Sequence, residues 1–93
     1  MRIVWDERKR VENIRKHGFD FAVLDAQFFE NSEIIPAAGQ RRKALGAFSA
    51  RVLVVIFFVL GTQGLSVISM RPANKKERKQ YEQAVARTSP YHR

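Results

Sequence analysis

The sequence predicts an α+β domain, an antiparallel sheet carrying two N-terminal helices and a C-terminal helix. Three observations lead there. Residues 52–70 carry no charge and split into two β-rich apolar runs around Gly61-Thr62-Gln63-Gly64, which reads as a hairpin. Residues 6–31 and 74–87 instead show cap residues followed by helical spacing. A chain of 93 residues has room for one core, so these segments must pack on one another.

Each element has its own local reason. Arg2–Trp5 is a short opening strand. Asp6 offers an N-cap to a helix that runs from Glu7 to Lys16 and stops at His17-Gly18. Only Val11 and Ile14 are apolar there, which predicts a surface helix with a narrow buried stripe. A second helix starts at Phe19-Asp20, places Phe21, Leu24 and Phe28 on one side, and ends at Asn31-Ser32. Ile34-Ile35 and Arg41–Phe48 read as short strands around Pro36–Gly39. Val52–Leu60 is apolar on both faces, so it belongs in the middle of the sheet, and Leu65–Met70 pairs with it. The last helix spans Asn74–Arg87, with Asn74 and Glu77 spaced as a capping box and Tyr81, Ala84 and Val85 on its apolar side. A single domain is expected over residues 1–87, with a flexible tail at 88–93.

Composition removes several function classes. The chain holds no cysteine, so disulfide frameworks, cysteine-bound zinc and thiol nucleophiles are excluded. The N-terminus carries charges where the apolar region of a secretory signal would lie, and Gly61 to Gly64 break the apolar run Val52–Leu60 before it reaches membrane-span length. A cytoplasmic protein with no membrane partner is expected. The charge is lopsided, with 17 Lys and Arg against 9 Asp and Glu, a formal net charge of +8. It is also segregated: residues 19–35 hold four acids and no base, whereas 1–18, 36–51 and 71–93 are basic. Basic blocks attract polyanions by counterion release, so nucleic acid is the first partner to consider.

No Walker loop, GxGxxG, HExxH or GxSxG is present, and His17 and His92 lack metal-pair spacing, so no metal or cofactor is expected. What remains is Arg, Lys, His, Tyr and Ser near element ends. That set suits metal-independent RNA cleavage, in which the 2′-hydroxyl attacks the neighbouring phosphorus. Such catalysis rests on aligning the attack, moving protons and neutralising phosphoryl charge.

The ordered residues Val4-Trp5-Asp6-Glu7-Arg8-Lys9, Lys16-His17-Gly18 followed by Phe21, Arg41 five residues ahead of Gly46, and Ile68-Ser69-Met70-Arg71-Pro72-Ala73 followed by Glu77 and Tyr81-Glu82 resemble the BrnT family. The resemblance runs from about residue 3 to residue 83. It implies a RelE-like fold and an endoribonuclease toxin of a type II toxin–antitoxin module that inhibits translation. It further implies neutralisation by a BrnA-like ribbon-helix-helix antitoxin, in a heterotetramer of two toxins and two antitoxins that meets operator DNA only through the antitoxin.

The same resemblance assigns residues. Arg71, at the end of the last strand, is the first catalytic candidate, to stabilise phosphoryl charge; its alternative is to cap the following helix. Arg41 is a second phosphate contact or an exposed cross-strand charge. His17 is a proton-transfer group, or a helix-ending imidazole favoured by the helix dipole. Lys16, Trp5, Tyr81 and Lys75 are RNA-binding candidates, with core packing the favoured alternative for Trp5 and Tyr81. Two positions depart from the family pattern. Phe58, Val59 and Leu60 stand where the pattern has Thr-x-Arg, and Gly39 and Gln40 occupy the neighbourhood of the expected Glu ahead of Arg41. Leu60 in place of an arginine predicts reduced activity. The alternative function is a weakened toxin homologue that binds the antitoxin and tunes operon repression.

Overall fold

The computed structural model describes residues 1–88. Its elements run β1 (Arg2–Trp5), α1 (Glu7–His17), a 3₁₀ turn (Phe21–Val23), α2 (Ala26–Glu30), β2 (Glu33–Pro36), β3 (Arg42–Phe48), β4 (Arg51–Leu60), β5 (Gly64–Pro72) and α3 (Lys75–Thr88). The five strands form one sheet in the order β1-β5-β4-β3-β2. The expected tail falls outside the described residues except for Thr88, the last residue of α3; His92 also lies outside them.

The sheet is mostly antiparallel, with one correction to the expected pattern. β2, β3, β4 and β5 form an antiparallel meander, whereas β1 lies parallel to β5, with Ile3 opposite Leu65 and Trp5 opposite Val67. The reason is topological: α1 and everything after it separate β1 from its partner, so no tight turn dictates an antiparallel return. β4 is central, as its two apolar faces require, and Leu53, Val54 and Val55 have no exposed surface.

Alternation along β4 divides the core between two layers. Leu53, Val55 and Phe57 face one side, where Phe21, Leu24, Phe28 and Phe29 cover them. Val54 faces the other side, where it meets Leu45, Ala73 and the half-buried Tyr81 of α3. The Phe28 ring lies directly over Gly46, where an added Cβ would come within 2.8 Å of it. That approach is why β3 has glycine at its centre.

Two local expectations need correction. The second helix is broken into a 3₁₀ turn and the five-residue α2, because Asp20 and Asp25 each cap a separate start through their side chains. In α1, Val11 and Ile14 stay 54% and 38% exposed, and the buried residue is Asn13, at 5%. Its Nδ2 donates to the carbonyls of Met70 and Phe19, both at 2.9 Å, and its Oδ1 accepts from the Met70 N–H at 3.0 Å. The amide thus supplies β5 with ladder bonds beyond the point where β1 stops. Polar satisfaction, not apolar burial, seats this helix.

Candidate functional site

Arg71 and Lys43 come from different strands, yet their charges meet at one carboxylate. The register places Arg71 opposite Val54 and Lys43 opposite Ile56, so both side chains leave the sheet on the face that carries α3. There Glu77 reaches down from the first turn of α3. Arg71 Nη1 and Nη2 donate to its two oxygens at 2.8 and 3.0 Å, and Lys43 Nζ donates to Oε2 at 2.9 Å. Glu77 bridges β5 and β3 across the central strand.

α3 is held there by a reciprocal cap. The Asn74 Oδ1 accepts from the Glu77 N–H at 2.8 Å, and Glu77 Oε1 accepts from the Asn74 N–H at 2.9 Å. This is the capping box expected from the spacing. The Glu77 side chain is only 6% exposed. Hydrogen bonds from Arg71, then from the Asn74 N–H and Lys43, outweigh its burial and hold its carboxyl down to about pKa 2. The same pairing raises the Arg71 pKa further.

The arrangement leaves Arg71 usable. Its Nη1 is taken by Glu77 and the Pro72 carbonyl, and its Nη2 makes one bond to Glu77. Among the described residues its Nε–H and second Nη2–H have no acceptor. Those two hydrogens form the side-on edge of the guanidinium, the geometry that grips a phosphate with two parallel bonds. The side chain is 32% exposed, so a ligand can reach it.

Arg41 lies beyond the start of β3 on the same side, its guanidinium carbon 5.8 Å from the centroid of the Phe58 ring. Together with Pro36, Gly39 and Val59 they line a cleft of about 380 Å³. At ~3.4 Å per residue, Arg41 sits roughly 7 Å along the strand from Lys43. Lys75 is exposed at the first position of α3, two residues before Glu77. One face therefore gathers Arg71, Lys43 and Arg41, and α3, which lies over that face, carries Lys75.

None of the other candidates bonds to Arg71, Lys43 or Arg41 among the described residues, although Tyr81 shares their face. Lys16 and His17 are exposed at the end of α1 and make no hydrogen bond or ion pair among the described residues; Gly18 closes that end with a left-handed φ of 76° and an N–H bond to the Ile14 carbonyl. Trp5 is half-buried against the opposite face, its ring edge-on to Phe21 at 6.2 Å and its Nε1 donating to Glu7 at 3.4 Å. Tyr81 packs on Leu45, Val54 and Ala73 and borders a cavity of about 560 Å³ under α2. That cavity is larger than the cleft at Arg41, but among its lining residues it has Asp25 and no Lys or Arg, which unfits it for phosphate. Leu60 is 47% exposed at the end of β4. Lys43, and the part Glu77 plays as a bridge, were not found from sequence. The only available signal was the six-residue spacing from Arg71 to Glu77, because the partner from β3 depends on register.

Residues 5–77 match the family model described as ribonuclease toxin, BrnT, of type II toxin–antitoxin system. The chain is similar to the crystal structure of the Brucella abortus ribonuclease toxin BrnT, with 46% sequence identity and a TM-score of 0.75. That similarity covers 81% of this chain and 99% of the other. No protein with a curated description matches.

Proposed function

The chain belongs to the BrnT family of ribonuclease toxins of type II toxin–antitoxin systems, and from that premise we propose that it is an endoribonuclease that cuts RNA without a metal ion and thereby blocks translation. The observation that carries the reading is the free side-on edge of Arg71, held by Glu77 beside Lys43 on an accessible face.

In the reaction the 2′-oxygen forms a bond to phosphorus while the bond from phosphorus to the 5′-oxygen breaks. The 2′-hydroxyl proton is lost to solvent and the departing 5′-oxygen gains one. Negative charge builds on the non-bridging oxygens, and Arg71 is placed to receive it with two N–H donors. Lys43 adds a second positive charge to the same patch, and Arg41 and Lys75 hold flanking phosphates. Glu77 acts as a positioning residue: a carboxylate already saturated by Arg71, Lys43 and the Asn74 N–H keeps the guanidinium turned outward. His17 and Lys16 fit this reading as contacts for more distant RNA and not as proton-transfer groups. A BrnA-like ribbon-helix-helix antitoxin is the partner the reading requires, in the expected assembly of two toxins and two antitoxins, and only that antitoxin meets operator DNA.

The test is expression of the parent and Arg71→Ala at matched protein level, followed by cleavage of single-stranded RNA by the purified chains in a buffer containing a chelator. The parent is expected to arrest growth and to cleave, and Arg71→Ala to lose about 10²–10³-fold in rate, the cost of removing one such donor. No arrest and no cleavage by the parent would sink the catalytic reading in favour of the antitoxin-binding homologue. Leu60→Arg would then be the first reversion to make.

A further inference from the structure

The open part of the cationic face holds an aromatic ring that the reaction above does not use. Phe58 lies on β4 opposite Ser66, in the same alternation as Val54 and Ile56, so its ring stands on the α3 side of the sheet beyond the reach of α3 itself. It is 36% exposed, an unusual position for phenylalanine in a chain whose Phe21, Phe28, Phe29 and Phe57 are all buried. The Arg41 guanidinium lies over it at 5.8 Å, and Pro36, Gly39 and Val59 wall the cleft in which both sit. Lys43 faces Ile56, two residues back along the same strand. At ~3.4 Å per residue and about 4.8 Å between strands, that puts Lys43 roughly 8 Å from Phe58, within one nucleotide of the ring.

We infer that Phe58 and Arg41 form a stacking site for one unpaired nucleobase, the base next to the phosphate held by Lys43 and Arg71. An exposed aromatic face joined to a guanidinium is the pairing on which single-stranded bases stack. The ring supplies a flat apolar surface, the arginine adds a cation over the base or its phosphate, and the walls limit the cleft to one planar group. Duplex RNA cannot enter, since its bases are stacked on one another. The site therefore confines the substrate to single-stranded RNA. The inference rests on the ribonuclease reading and adds to it the place where the base is held.

The experiment compares the parent, Phe58→Leu, Phe58→Trp and Arg41→Ala. Each full-length chain is titrated into a fluorescent single-stranded oligoribonucleotide carrying 2′-O-methyl groups, which binds without being cut. Thermal midpoints and capture of a BrnA-like antitoxin are measured alongside. Phe58→Leu is expected to bind about tenfold or more weakly at every salt concentration, with its salt slope unchanged, because it loses stacking and no charge. Phe58→Trp should bind as well as the parent or better. Arg41→Ala should weaken binding and flatten the salt slope by about 0.7, one phosphate's share on a single strand. Parent-like RNA affinity in Phe58→Leu overturns the stacking site while leaving the ribonuclease reading intact, and so does equal weakening by leucine and tryptophan. Loss of antitoxin capture in Phe58→Leu with RNA affinity unchanged assigns the ring to the protein partner instead. A parent that neither binds nor cuts RNA removes both readings together.

Discussion

Glu77 shows how one side chain sets both the stability and the charge of a surface. Its carboxyl, held down to about pKa 2 against an ordinary value of 4.5, binds fewer protons in the folded chain than in the unfolded one. That contribution is complete above about pH 4.5 and is lost as pH falls towards 2. Integrated over the shift, it is on the order of 3 kcal/mol. Glu77→Gln is expected to lower stability at neutral pH and to flatten the acid limb of the stability curve between those values. Urea unfolding from pH 2 to 7 measures this directly, and parallel curves for parent and variant would refute the assignment. Asn13 is the other residue whose role exceeds its appearance, since its amide bonds stand in for a missing stretch of strand.

At the scale of elements, local chemistry and distant pairing part company. The α1 and α3 caps, the hairpin around Gly61 and the central place of β4 were legible because each rests on residues adjacent in sequence. Arg71 was proposed as a site residue from the family pattern around Ile68-Ser69-Met70-Arg71, and its pairing with Glu77 lies within the same short stretch of chain. The parallel seating of β1, the burial of Asn13 and the arrival of Lys43 beside Arg71 were not legible, because all three depend on which strands lie side by side. Patterning fixes a strand's two faces but not its neighbour. The turn between β3 and β4 is a different case. Ser49 and Ala50 both take positive φ, 49° and 65°, where Asn-Gly is the usual pair. An alanine in that region costs about 1 kcal/mol. Replacing Ser49-Ala50 by Asn-Gly is expected to raise the melting midpoint by about 4–8 °C. Calorimetry checks it, and an unchanged midpoint would mean that the turn is unstrained.

The whole molecule sorts its charge as well as its core. One layer over the sheet is built from α2 and the 3₁₀ turn, whose charged residues, Glu30 and the caps Asp20 and Asp25, are acidic. The other carries Lys43, Arg71, Arg41 and the basic α3. Arg42 and Arg51 alternate onto the α2 side, but RNA approaching the α3 side meets no net acid there. Binding through three phosphate contacts should give log K a slope of roughly −2 against log salt, at about 0.7 for each phosphate on a single strand. A slope near zero would indicate that base contacts alone hold the RNA. Among the described residues no helix is long and apolar enough to cross a membrane.

The parallel pairing of β1 with β5 also bears on the order in which the chain can assemble. Arg2 to Trp5 are made first, but their partners Gly64 to Val67 are made some sixty residues later. Contacts so far apart in sequence close slowly and late. During synthesis the opening strand leaves the ribosome with nothing to pair with, and the arginine at position 71 emerges ahead of the glutamate that turns it outward. A nascent chain therefore lacks the Arg71–Glu77 pair until the start of α3 has emerged, and the seating of β1 waits on the same late stretch of chain.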